Sequence, residues 1–183
     1  MLNAFPTARP LGFSLVELMI GIAIIGFALV VGIPGYKTWI QNTQIRNAAE
    51  SIQNGMQRAR AEAVGRNTNV AFVLGVAGNS SWAVNVVNPA AVIESRANNE
   101  GSTNATSIGL AADLVTVAST ITFNNFGAVA VNADGTPALV RVDIGSSRPG
   151  QFRDLRITVG VGGNVRMCDP NMPVSVPPSP LAC

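Results

Sequence analysis

Residues 12–34 read GFSLVELMIGIAIIGFALVVGIP, and this stretch decides the fold. From Leu15 to Ile33 it holds one charged residue, Glu17. At a rise of about 1.5 Å per residue, a helix of this length nearly spans the hydrocarbon core of a bilayer. The sequence therefore predicts a long N-terminal α-helix whose first half, residues 13–36, is transmembrane.

A secretory signal peptide is the main alternative interpretation of this stretch. Its apolar core would hold about 7–15 residues, with an Ala-x-Ala cleavage site after it. The run here is longer, and no such site follows it. We therefore interpret the segment as retained, and residues 1–12 as a short leader that Pro6 and Pro10 interrupt.

The helical pattern continues beyond the apolar run. Pro34 removes a backbone donor and crowds the preceding turn, so a kink or a locally melted stretch is expected there. Residues 37–64 are amphipathic, with an apolar stripe at alternating steps of four and three formed by Ile45, Ala49, Ile52, Met56, Ala59 and Ala63. We expect this stripe to pack on the chain's own domain.

Residues 65–183 alternate at period two, which is typical of half-buried antiparallel strands. Apolar residues share a face in the stretches 70–74, 82–86, 140–144 and 155–159. The stretch from Glu94 to Ser107 is polar and rich in Asn and Ser, so it is predicted to be an exposed loop. The expected fold class is α+β, with the long helix packed on a small antiparallel β-sandwich.

The composition argues against an enzyme. There is no His, and two Cys residues are too few for a structural zinc site. The chain lacks a Gly-rich phosphate loop and a Gly-x-Ser-x-Gly elbow. Paired carboxylates could still carry out chemistry, but nothing singles out a pair. We expect no catalytic residue, no metal and no cofactor.

Cys168 and Cys183 are predicted to form a disulfide. The membrane segment places the following domain outside the cytoplasm, where disulfides persist. The segment between them excludes a helix or a central strand, because it contains Pro170, Pro173, Pro177, Pro178 and Pro180. Two unpaired thiols are the alternative.

The junction Gly12-Phe13-Ser14-Leu15-Val16-Glu17-Leu18 resembles the type III signal sequence of type IV pilins and type II secretion pseudopilins. The match comprises a short leader ending in Gly, then Phe, then Glu four residues later, then an apolar run containing Pro34. The resemblance implies that a prepilin peptidase cuts between Gly12 and Phe13 and methylates the new amine of Phe13. It also implies a single-pass protein of the bacterial inner membrane that joins other pilin or pseudopilin subunits in a pilus or a periplasmic pseudopilus.

An ionised carboxylate within a membrane segment is costly and usually has a partner. Cleavage after Gly12 would create a positive amine at Phe13. Glu17 lies one turn further along, so we expect it to neutralise the amine of a neighbouring subunit and to set the stagger between helices. A carboxylate that only snorkels to the membrane boundary is the alternative.

Two further stretches resemble the GspH/FimT family of minor pilins and pseudopilins. They are Ile121-Thr122-Phe123-Asn124-Asn125-Phe126-Gly127 and Gly163-Asn164-Val165-Arg166-Met167-Cys168-Asp169-Pro170. The resemblance implies a structural subunit, namely a FimT-like minor pilin of a type IV pilus. A GspH-type minor pseudopilin of a type II secretion system is the alternative.

FimT-like members are associated with binding double-stranded DNA during natural transformation, through a Gly-Arg-x-Arg segment. Here Asn164 replaces the first Arg, and Arg166 alone matches. Phosphate contacts need clustered cations, and the candidates are Arg166 with its sequence neighbours Arg148, Arg153 and Arg156. Asp154 and Asp169 dilute this charge, and ordinary solvated strand faces are the alternative.

Overall fold

The computed structural model describes residues 12–173, 179 and 181–183. The predicted leader before Gly12 and the prolines at positions 177, 178 and 180 lie outside the described residues. The same holds for the side chain of Pro34. The chain divides into two compact units, residues 1–38 and residues 39–183.

One helix, α1, runs from Leu15 to Arg66. It extends two residues beyond the predicted end at Val64, since Glu62 pairs with Arg66 at 2.5 Å and with Arg58 at 2.9 Å across its last turns. Asn67 then takes a left-handed conformation (φ 53°), which ends the helix.

The backbone around Pro34 stays helical, so the predicted local melting does not occur. The segments Leu15–Val30 and Gly35–Arg66 form a bent pair, in line with the predicted kink. Among the described helices none qualifies alone as a membrane span by length and composition, whereas this bent pair qualifies together.

The described part of the second unit forms two antiparallel sheets. Their strands are β1 (Val70–Leu74), β2 (Trp82–Val86), β3 (Ala91–Arg96), β4 (Ala105–Leu110), β5 (Thr120–Phe123), β6 (Val129–Ala130), β7 (Arg141–Ser146), β8 (Leu155–Val159) and β9 (Val165–Cys168). The five-stranded sheet has the order β3-β2-β1-β5-β6, and the four-stranded sheet has the order β4-β7-β8-β9. The predicted fold class, a helix packed on antiparallel sheets, is confirmed.

The apolar stripe of α1 supplies the helical side of the core. All six of its predicted members are fully buried. Gly55 lets the five-stranded sheet approach, because a Cβ there would lie 2.9 Å from Phe72 and 3.0 Å from Trp82. The Trp82 indole N–H donates to the Ser51 hydroxyl of the helix at 2.8 Å, so the buried ring loses no hydrogen bond.

The predicted loop from Glu94 to Ser107 is confirmed for residues 97–104 and was wrong at both ends, which are strands. β3 continues to Arg96, and β4 begins at Ala105. β3 is the edge strand of its sheet and has no buried residue, so it shows no alternation of apolar and polar side chains. In β4 the buried positions hold Ala105, Ser107 and Gly109, whose low hydrophobicity hides the pattern.

Candidate functional site

The junction before α1 is exposed and non-helical. Gly12, Phe13 and Ser14 precede the helix, and Phe13 is 83% exposed. A Cβ added at Gly12 would meet nothing within 4 Å. The structure therefore leaves the peptide bond between Gly12 and Phe13 open to an enzyme.

The first unit presents a long apolar surface after this junction. Eleven large apolar side chains between Leu15 and Val30 are more than half exposed, far more than an isolated soluble surface tolerates. The carboxylate of Glu17 lies within this surface. A segment of this kind needs a lipid or protein environment to cover it.

The four arginines predicted to bind DNA do not share one face. Arg156 lies on the outer face of the four-stranded sheet, where its Nε donates to Asp143 at 2.7 Å. Arg166 lies on the same face, since it pairs with Thr158 two residues further along β8, and its Nη2 donates to the Ala182 carbonyl at 2.8 Å.

The other two arginines lie elsewhere. Arg153 precedes β8, and its amide donates to Asn42 of α1 at 3.0 Å. Its side chain approaches Asp169 at 3.4 Å. Arg148 lies in the exposed turn between β7 and β8. Arg148 and Arg153 are close in sequence to Arg156, but both precede β8. A residue outside a strand does not have to point to the same side of the sheet as the residues within that strand.

Sequence reasoning missed Arg141, which belongs to the outer face. It pairs across β7 and β8 with Thr158, and it holds Asp143 through Nε at 3.0 Å and Nη2 at 2.5 Å. The alternation of Val142 and Ile144 with Arg141 and Asp143 was the signal that could have found it.

Asp143 is therefore shared by two arginines. Partial burial acts to raise its pKa, but the hydrogen bonds and charges of Arg141 and Arg156 outweigh burial and hold the pKa below its usual value. The carboxylate is ionised at neutral pH and cancels one positive charge. Asp154 lies on the same side beside Gly145, and partial burial, then the charges of Asp169 and Asp143, raise its pKa. Arg141, Arg156 and Arg166 are therefore partly offset by two nearby carboxylates.

The two family-like stretches meet at the C-terminal end of α1. The Arg60 Nε donates to the Gly127 carbonyl at 3.0 Å. Gly163 lies against the same carbonyl, since a Cβ there would be 1.9 Å from the Gly127 oxygen. The Val129 amide also donates to the Val161 carbonyl at 3.1 Å, so the cluster joins the edges of the two sheets.

The C-terminal residues are tied back to β9. Cys168 and Cys183 form the predicted disulfide. The Asp169 amide donates to the Leu181 carbonyl at 2.7 Å, and Asp169 forms a parallel bridge with Ala182. The disulfide and these backbone contacts therefore hold the described C-terminal residues against the end of β9.

Reduction of this disulfide is expected to destabilise the second unit. Closing a loop with a sequence separation of 15 contributes about 3 kcal/mol in the chain-entropy model. The melting temperature should then fall by about 6–12 °C, measured by calorimetry with and without a reductant. A Cys168→Ser, Cys183→Ser double variant should melt with the reduced protein. Two titratable thiols in the native protein would contradict the bridge.

Three comparisons with known proteins bear on the family. Residues 48–163 match the family model described as type II transport protein GspH. Residues 8–33 match the prokaryotic N-terminal methylation motif. No curated protein matches the chain significantly.

The fold is similar to that of solved pilin structures. Two crystal forms of the type IV minor pilin FimU of Pseudomonas aeruginosa strain PAO1 match with TM-scores of 0.48 and 0.50 at 16% identity. Each match covers 67% of this chain, and 90% and 87% of the respective FimU chains. At this identity the likeness concerns the fold alone. The GspH model spans more than half of the chain and, with the methylation motif, shows that the chain belongs to the GspH family and is a type IV pilin-like minor pilin or pseudopilin.

Proposed function

We propose that the chain is a FimT-like minor pilin, which a prepilin peptidase cuts between Gly12 and Phe13 before other pilin subunits take it up into a type IV pilus. One observation carries this proposal: an exposed, non-helical Gly12–Phe13 bond lies directly before a helix with an uncovered apolar surface. The match of residues 8–33 to the methylation motif supports it. The reaction belongs to the peptidase, and this chain is its substrate.

The proposed organisation follows from this role. Residues 1–12 are the leader, residues 13–36 cross the inner membrane once, residues 37–64 are the amphipathic half of the helix, and residues 65–183 form the domain outside the cytoplasm. Pro34 bends the helix between its membrane and domain halves. Glu17 neutralises the Phe13 amine of a neighbouring subunit in the fibre.

Mass spectrometry of protein taken from membranes or fibres should find an N-terminus at Phe13 that carries one added methyl group. An intact Met1, or a cut beyond Ile33, would contradict the proposal. Deletion of the gene distinguishes a type IV pilus from a type II secretion system. Loss of surface pili with normal secretion indicates a pilus subunit. Loss of secretion with normal pili indicates a GspH-type pseudopilin of a type II secretion system.

Binding of double-stranded DNA is a second candidate function, favoured by the outer face of the four-stranded sheet. Arg141, Arg156 and Arg166 share this face, and Asp143 pairs with the first two of them. Arg is suited to forked contacts with phosphate. Such contacts would be made mainly to the DNA backbone and would be nearly independent of sequence.

If this surface binds DNA, Arg166→Gln in residues 39–183 should weaken binding and reduce the slope of affinity against salt concentration by about one. Asn164→Arg should strengthen binding, because Asn164 is exposed beside β9 and the change adds a cation there. Arg153→Gln is the matched control and should leave affinity unchanged, since Arg153 precedes β8 and its side chain approaches Asp169 instead. No binding at low salt by either the wild type or Asn164→Arg would rule the function out.

A further inference from the structure

Helix α1 begins at a defined residue, and one side chain fixes that start. The Ser14 hydroxyl oxygen accepts a hydrogen bond from the Glu17 amide at 3.2 Å. The Ser14 carbonyl accepts another from the Leu18 amide at 3.2 Å. A residue whose carbonyl opens the helical ladder and whose side chain satisfies an otherwise unpaired amide is an N-cap.

This cap lies directly after the bond that is to be cut. Gly12 and Phe13 precede Ser14, and neither is helical. A peptidase needs backbone that is not already hydrogen-bonded into a helix. The position of the cap therefore decides whether the scissile bond is accessible.

Loss of the cap would leave the helix start undefined. Without the Ser14 hydroxyl the Glu17 amide is unpaired, which costs more free energy in an apolar environment than in water. Extension of the helix by one turn towards the N-terminus would pair this amide with the Phe13 carbonyl. Pro10 is suited to the first turn of such an extension, because it has no N–H and its φ is preset for a helix. Extension to Pro10 would enclose the Gly12–Phe13 bond in the helix.

We propose that Ser14 is a positioning residue for processing: its hydroxyl fixes the start of α1 at Leu15 and keeps the Gly12–Phe13 bond in non-helical, accessible backbone. This inference rests on the proposed cleavage between Gly12 and Phe13. Ser14 acts through the backbone of its own chain and not by contact with the peptidase.

The test uses the full-length precursor in membranes, with prepilin peptidase added, and compares the wild type, Ser14→Thr and Ser14→Val. Thr and Val have nearly the same shape, but only Thr has a hydroxyl that can cap. Ser14→Thr should be cut at close to the wild-type rate. Ser14→Val should be cut about fivefold more slowly, the factor that corresponds to a typical cap contribution of about 1 kcal/mol.

Hydrogen exchange of the Val16 amide, measured without peptidase, gives a second readout. The amide precedes the first backbone bond of α1, so it should exchange at the same rate in the wild type and in Ser14→Thr. It should exchange about fivefold more slowly in Ser14→Val, because an extended helix pairs it with the Gly12 carbonyl. Cleavage of Ser14→Val at the wild-type rate would overturn the inference. Equal slowing of both variants would also overturn it, because side-chain shape rather than the cap would then decide. A wild-type precursor that is not cut after Gly12 would instead overturn the proposed function.

Discussion

Glu17→Ala is expected to enter the membrane normally and to be almost absent from assembled fibres. Removing the carboxylate makes the apolar segment easier to insert. In the fibre, however, the Phe13 amine of the neighbouring subunit would lose its partner in an apolar environment. An uncompensated buried charge costs about 3–5 kcal/mol, so incorporation should fall by at least about tenfold.

The measurement is the ratio of this subunit in sheared fibres to the same subunit in membranes. Glu50→Ala is the matched control, since Glu50 lies on the same helix in an exposed pair with Arg46 at 2.7 Å. Exposed pairs of this kind contribute little, so the control should be incorporated normally. Normal incorporation of Glu17→Ala would show that the carboxylate does not set the stagger between subunits.

Gly163→Ala should strongly destabilise the second unit. Gly163 has a φ of +76°, which costs other residues about 1–2 kcal/mol. The added Cβ would lie 1.9 Å from the Gly127 carbonyl oxygen and 3.2 Å from the Arg60 Nε, so the backbone has to move. Overpacking adds about 1–3 kcal/mol, and the melting temperature of residues 39–183 should fall by about 10 °C.

Gly162→Ala is the control for this change. A Cβ at Gly162 would meet nothing within 4 Å, so the variant should stay within about 0.5 kcal/mol of the wild type. If both variants melt together, the contact among Arg60, Gly127 and Gly163 does not hold the two sheets together.

The sequence predicted those elements whose burial is regular. β1, β2 and β8 were found because each buries alternate large apolar residues, and the stripe of α1 was found because its spacing is helical. β3 was missed because an edge strand with no buried residue has no pattern to detect. β4 was missed because its buried face is lined by small residues such as Ser107.

The candidate site shows the same division. The junction at Gly12 could be read from the sequence because its features lie within a few neighbouring residues. Arg60 and Gly127 are 67 positions apart in sequence, so no local sequence pattern could predict their contact. The arginine surface depended on strand pairing, which places Arg141 beside Thr158, whereas Arg153 lies before the paired residues of β8.

The order of synthesis gives the apolar stripe of α1 a further consequence. The stripe ends at Ala63, but β9, the last strand of the sheets that cover it, ends at Cys168. The ribosome adds about 5–20 residues per second, so about 5–20 s pass between synthesis of the stripe and synthesis of the last strand that packs on it. During that interval the exposed apolar stripe is open to aggregation.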